Sequence, residues 1–124
     1  MHAVIAAAAL PLFVGALLAD LAYSGSFQIQ WINFSSWLIA GALLLAGLAL
    51  LWAAVDVLRR RPRGGMVYLL LLLATFVLGF VNALVHARDA WATMPTGVAL
   101  SAVVVVLAAI ASGVGLAGWR RRAA

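Results

Sequence analysis

The chain alternates long apolar runs with short polar interruptions. Four predominantly apolar runs lie at about residues 3–22, 37–58, 66–86 and 98–119. Their length excludes strands, and at about 1.5 Å of rise per residue each run, as a helix, can cross a hydrocarbon core of about 30 Å. The sequence therefore predicts an all-α fold, with a single four-helix transmembrane domain over residues 1–124 connected up-down-up-down as a bundle.

The polar interruptions have compositions typical of turns at a lipid surface. They read "SGSFQIQWINFSS", "RRRPRGG" and "ARDAWATMPTG". Each mixes glycine, proline, serine or charged residues, which favour turns over helix interiors. We therefore expect short loops on both sides of the membrane, with no room for an active site outside it.

Composition indicates an integral membrane protein. Of the 124 residues, 68% are hydrophobic and 9% are charged, and the mean hydropathy is +1.18. These values lie well outside the balance of a soluble domain. The ionisable side chains that matter here are eight arginines, three aspartates and two histidines, and the lack of cysteine excludes disulfides and thiolate chemistry.

The arginines are distributed unevenly along the chain. Seven of the eight follow the second or the fourth apolar run, and only Arg88 lies on the opposite side. By the positive-inside rule, the sequence predicts that both termini lie in the cytoplasm. No nucleic-acid partner is expected, because the arginines lie beside span ends with no basic domain behind them.

A first group of polar residues is predicted on the outer side. Asn82, His86 and Asp89 are spaced i, i+4 and i+7, so they form one stripe if the third helix extends that far, and Asp20 ends the first helix at the same depth. We expect Asn82 and His86 to point toward the first helix, with His86 within hydrogen-bond reach of Asp20. This outer-side cluster could hold a proton or a divalent cation such as zinc. Alternatively, the helix simply ends here, with Arg88 and Asp89 in water.

A second group is predicted on the inner side and comprises His2, Asp56 and Arg59. His2 begins the first helix, about 27 Å from Asp20, so the two cannot share a ligand. We expect Asp56 to form an ion pair with Arg59 or Arg60, or a hydrogen bond with His2. Such a pair explains the acid without a function, although an acid in a membrane helix is also a default functional hypothesis.

Two further patterns concern helix packing. Trp31 and Trp91 are 60 positions apart and Arg59 and Arg120 are 61 apart, which suggests two repeated helical hairpins. Any four-helix protein with this topology shows similar spacings, because arginines follow its even-numbered helices. A repeat and this general rule therefore both remain open as explanations. Small residues at four-residue spacing predict close helix interfaces within the bundle; they are Gly15 with Ala19, Ala42 with Ala46, and Ala109 with Gly113 and Ala117.

Several single residues match the layout of a known family. They are His2, Pro11, "ADL" at 19–21, "WLIAGALLLAGLALLWAAVDVL" with Asp56 near its end, and "NALVHAR" with Asn82 and Arg88. Over about its first 90 residues the chain thereby resembles the bacterial four-helix membrane proteins called domain of unknown function 2231. The family has proline after the first histidine and another histidine opening the third helix, whereas this chain has Ala3 and "MVYLL". The resemblance implies the fold, a location in a bacterial inner membrane and no established activity. A metal or haem site that needs the second histidine would be missing.

Three functions remain open on the sequence. The first is a structural or accessory subunit that contacts the lipid bilayer and either other membrane subunits or a second copy of itself. The second is a haem- or quinone-associated redox module; within one chain the two histidines lie too far apart, but His86 from two copies could share a haem. The third is a small proton-coupled or metal-ion carrier using Asp20, Asn82 and His86. A conventional enzyme is not expected, because no catalytic motif occurs.

Overall fold

The protein consists of four long helices. The computed structural model describes residues 1–88 and 93–123, which form α1 (His2–Ser26), α2 (Ile29–Arg60), α3 (Gly65–His86) and α4 (Thr96–Ala123). None of the described residues lies in a strand, and each of the four helices is long and apolar enough to cross a membrane. The prediction of an all-α, multi-pass four-helix bundle is confirmed.

The first connection is much shorter than predicted. We expected a loop up to residue 36, but only Phe27 and Gln28 separate α1 from α2. Phe27 adopts a left-handed conformation with φ of 56° and donates its backbone N–H to Tyr23, which ends α1 and reverses the chain. The following segment, 29–36, contains no glycine or proline, so nothing stops the helix. With 32 residues, α2 is about 48 Å long and exceeds the hydrocarbon thickness.

The four helices close into a ring. Each helix packs against its neighbour in sequence, and α4 packs against α1, so α1 and α3 face each other across the centre. Small residues such as Ala42 and Ala46 are buried in the core beside Phe13, as predicted, and this permits close helix approach.

The small-residue prediction is wrong for α4. Ala109, Gly113 and Ala117 are exposed on the outer surface of the bundle. The face of α4 that turns inward carries Val104 and Ala111 instead. Spacing alone identifies a stripe on a helix but not the direction that it faces, and the other faces of α4 are equally apolar.

A constant offset of 66 positions relates residues in the two halves of the bundle. The contacts His2 to Tyr68 and Asp20 to His86 both join residues 66 positions apart. Ser35 in α2 and Ser101 in α4, both buried, have the same spacing. The buried positions of α1 and α3 match at this spacing: His2, Ala6, Ala9, Phe13, Ala16, Ala19 and Asp20 correspond to Tyr68, Leu72, Thr75, Gly79, Asn82, Val85 and His86. This is the relation expected of two hairpins about a pseudo-twofold axis along the bundle, in a register different from the predicted 60 or 61 positions.

Candidate functional sites at the two ends of the bundle

The first candidate site is a buried group of polar side chains that we call the Asp20 cluster. All four helices contribute to it: Asp20 from α1, Ser35 from α2, Asn82 and His86 from α3, and Ser101 from α4. Each of these residues is buried, and the side chains of Asp20 and His86 are completely inaccessible. The cluster therefore lies inside the protein and away from the lipid.

A continuous chain of hydrogen bonds joins the cluster. His86 Nε2 lies 2.7 Å from Asp20 Oδ1, and the Ser101 hydroxyl donates to Asp20 Oδ2 over 2.5 Å. The Asn82 amide in turn donates to Ser101 Oγ over 2.9 Å. Ser35 donates to the Ala16 carbonyl and also lies 3.3 Å from His86 Nε2. One carboxylate thus ties α1 directly to α3 and α4.

The partners of His86 fix where its protons can be. Nδ1 lies 2.9 Å from the backbone carbonyl of Asn82, and a carbonyl can only accept, so Nδ1 carries a hydrogen. Nε2 then either donates to the Asp20 carboxylate or accepts from the protonated acid. In both cases one proton lies between Nε2 and Oδ1, and the pair has no net charge. This neutrality avoids the large cost of placing an uncompensated charge at a buried position.

Tight packing surrounds the imidazole. A Cβ placed on Gly97 would lie 3.1 Å from His86 Cε1 and 2.9 Å from Thr93 Cγ2. Glycine is therefore required here for the start of α4 to approach the ring. Asn82 Oδ1 has no hydrogen-bond partner among the described residues, although Asn82 is 1% exposed. The cluster thus leaves one buried amide oxygen as an open acceptor.

The outer-side prediction is largely confirmed in its geometry. His86 contacts Asp20 as expected, and Arg88 lies exposed beyond the end of α3. Asn82 points into the bundle, and its hydrogen-bond partner is Ser101 on α4, which the sequence did not predict. Asp89 lies outside the described residues.

Two members of the cluster were missed from the sequence. The predicted loop up to residue 36 includes Ser35, whereas the structure places Ser35 in α2. Ser101 was overlooked as a single hydroxyl in an apolar run, yet its depth near the start of the fourth span matches that of Asp20 and His86. Polar residues at a common depth on different helices are the signal that would have found both.

The second candidate site lies at the opposite, arginine-rich end. Asp56 Oδ2 is 3.5 Å from His2 Nε2 and 3.7 Å from an Arg122 nitrogen, and Asp56 Oδ1 is 3.5 Å from Arg60 Nε. The other ring nitrogen of His2 lies 3.3 Å from the Tyr68 hydroxyl. The contacts of the Asp56 carboxylate are longer than those of the Asp20 carboxylate, and the Asp56 side chain remains 16% exposed.

A cavity of about 270 Å³ opens beside these residues, and we call it the arginine-end cavity. His2, Asp56 and Tyr68 line its interior, and Arg63, Arg121 and Arg122 line its mouth. The three arginines are exposed, so the cavity is open at this end. Glycine at position 115 lets the Tyr68 ring keep its place in the cavity wall, because a Cβ there would lie 2.6 Å from that ring.

The inner-side prediction is confirmed for two of its partners. Asp56 contacts both His2 and Arg60. Arg59 is exposed, and no ion pair joins it to Asp56 in the described part of the chain. Asp56 Oδ1 contacts Arg60 and Oδ2 contacts His2 and Arg122 instead. Tyr68 and Arg122 were not predicted. Tyr68 lies 66 positions after His2, and Arg122 lies 66 positions after Asp56.

Within the residues that the structure describes, neither site has the composition of a metal centre. Over residues 1–88 and 93–123, no three His, Cys, Asp or Glu side chains come together to hold a metal ion. No family model matches the chain, and neither curated proteins nor solved structures provide a match. The resemblance to the family of unknown function 2231 therefore stays a prediction.

Proposed function

We propose that the protein is a structural or accessory subunit of a bacterial inner membrane, with both termini in the cytoplasm. Its four helices present apolar outer faces to lipid and to neighbouring subunits or a second copy. The observation that carries this proposal is the closed Asp20 cluster, whose polar groups bind one another across all four helices. Such an arrangement stabilises one helix packing and offers no open path for a substrate.

The geometry favours this function over a haem-binding module. Both ring nitrogens of His86 already have hydrogen-bond partners, and Gly97 lies against the ring. Ligation of haem iron by Nε2 would require the bond to Asp20 to break and α4 to move away. The residues present therefore do not fit a haem on His86.

A proton-coupled carrier is the second candidate, and one observation favours it. The hydrogen bond between His86 and Asp20 continues to the Ser101 hydroxyl, which donates to the other carboxylate oxygen of Asp20. A chain of this kind can relay a proton if water reaches either end. The complete burial of Asp20 counts against such access in this conformation.

Proteoliposomes distinguish these two functions. We expect the purified protein to give no proton uptake above empty vesicles, under an imposed membrane potential, with a pH-sensitive dye inside. Uptake that disappears in His86→Gln, but persists in the exposed control Arg59→Gln, would instead establish the carrier.

Photo-crosslinking in native membranes tests the accessory role directly. A photoreactive residue is placed in turn on the lipid-facing side of each helix, at Leu18, Leu44, Leu70 and Val106, all of which are exposed. We expect at least one position to give a discrete adduct with another membrane protein or a second copy. Lipid adducts alone from all four positions would overturn the proposal.

A further inference from the structure

The arginine-end cavity has the shape of a binding site and is not used by the proposed function. At about 270 Å³ it is several times larger than the roughly 30 Å³ that a water molecule occupies, and it approaches the size of small-molecule pockets. Its floor is formed by Tyr68 and the buried His2, which contact each other at 3.3 Å. Its mouth lies where α2, α3 and α4 reach the membrane surface.

The charges around the cavity favour an anion. Among the lining residues that the structure describes, three arginines stand against one carboxylate, Asp56. That carboxylate already has His2, Arg60 and Arg122 as partners within 3.7 Å. Over residues 1–88 and 93–123, no ion pair involves Arg63 or Arg121, so no described acid neutralises their guanidinium groups at the mouth.

The chemistry of these groups selects a particular kind of anion. Planar guanidinium groups bind phosphate through paired charge-assisted hydrogen bonds. The Tyr68 hydroxyl and the His2 ring add hydrogen-bonding groups deeper in the cavity. Basic pockets between helices on the cytoplasmic side of a membrane commonly hold phosphate-bearing headgroups.

We propose that the arginine-end cavity binds a phosphate group, supplied either by an anionic lipid headgroup or by a soluble phosphate compound. Arg63 and Arg121 hold the phosphate at the mouth, and Arg122 bridges it to Asp56. Tyr68 and His2 face the part of the bound molecule that extends from the phosphate into the cavity. Binding at this site is independent of the Asp20 cluster, which lies at the other end of the bundle.

Two pairs of matched variants separate a defined site from general basic attraction. Arg63→Gln with Arg121→Gln removes the two free guanidinium groups, and Arg59→Gln with Arg120→Gln removes equal charge at the same membrane surface without touching the cavity. Gly118→Leu fills the cavity with all charges kept, since a Cβ at Gly118 would meet only Arg121 at 3.9 Å. Gly113→Leu makes the same change on the outer face of α4, away from this cavity.

The lipid arm uses nanodiscs of phosphatidylcholine with a minor fraction of phosphatidic acid. After transfer to detergent, native mass spectrometry counts the phosphatidic acid that stays bound. We expect wild type and both controls to retain it, and the Arg63/Arg121 and Gly118 variants to lose about tenfold or more of the affinity. The soluble arm titrates pyrophosphate in detergent and follows the melting temperature, which rises when a ligand binds the folded state.

The two arms identify the source of the phosphate. Retention of phosphatidic acid with this variant dependence assigns the site to a lipid headgroup, and stabilisation by pyrophosphate alone assigns it to a soluble compound. Binding in neither arm overturns the proposal. Equal losses in the controls, or full binding in Gly118→Leu, also overturn it, because they place the anion on the basic surface outside the cavity.

Discussion

The two polar ends of the bundle have similar arrangements of contacts but differ in how completely their polar side chains are packed and buried. Each joins α1 to α3 across the centre, through residues 66 positions apart. In the Asp20 cluster the central contacts measure 2.5 to 2.9 Å and the acid is inaccessible. At the arginine end the contacts measure 3.3 to 3.7 Å and the acid borders a cavity.

The difference follows from the residues that flank each pair. Beside His86, the start of α4 approaches so closely that Gly97 has no space for a methyl group. Beside Tyr68, α4 also approaches closely at Gly115, where a Cβ would lie 2.6 Å from the Tyr68 ring, but the space next to Gly118 stays open. One end can therefore stabilise the fold, while the other can accommodate a ligand at little cost to the fold.

The largest expected effect is that of removing one partner of the closed pair. His86→Ala leaves Asp20 buried with an unpaired acceptor, and breaking a buried pair in this way costs about 3–5 kcal/mol. His2→Ala at the open end is the matched control and should cost about 1 kcal/mol, since water can replace its contacts. Unfolding in mixed detergent micelles, followed by circular dichroism, measures both. Equal losses would mean that the two ends do not differ as described.

An intermediate effect is expected from adding one methyl group at each end. Gly97→Ala pushes against His86 and should lower the free energy of unfolding by about 1–3 kcal/mol through overpacking. Gly118→Ala faces open space and should stabilise the helix by up to about 1 kcal/mol. The same unfolding measurement compares the two variants. A stabilising Gly97→Ala would show that α4 is not pressed against the ring.

The smallest effect is expected for the exposed ion pair of Asp56. The Arg60 side chain is 82% exposed, so Arg60→Gln should change the free energy of unfolding by under about 1 kcal/mol. The difference should shrink further as salt is added, because exposed charges are screened. A loss of several kcal/mol that salt does not alter would place Asp56 among the buried, closed contacts.

Much of this architecture could be predicted from the sequence. The four spans follow from the length of the apolar runs, and the pairing of Asp20 with His86 follows from depth, because few polar groups share that level. The prediction failed where several arrangements satisfy the same pattern. An apolar α4 can turn any face inward, so its exposed small residues looked like a core interface.

Neither the 66-residue register nor the cavity could be predicted from the sequence, and the reasons differ. The 66-residue register is carried by buried positions of unlike chemistry, such as His2 with Tyr68, whereas the predicted spacing of 60 or 61 rests on tryptophans and arginines near the ends of the predicted spans. The cavity depends on side chains that are absent, at Gly115 and Gly118. Missing side chains leave no hydrophobic or polar pattern to detect.

A double-mutant cycle on Asp20 and His86 tests the central claim most directly. Asp20→Val and His86→Leu are measured singly and together by unfolding in mixed micelles. Each single change strands a buried polar partner, whereas the double change replaces the pair with apolar groups. We therefore expect the double variant to be closer to wild type than the summed losses by at least about 2 kcal/mol. Additive losses would contradict the account, because they would show that the two residues do not stabilise the bundle as a pair.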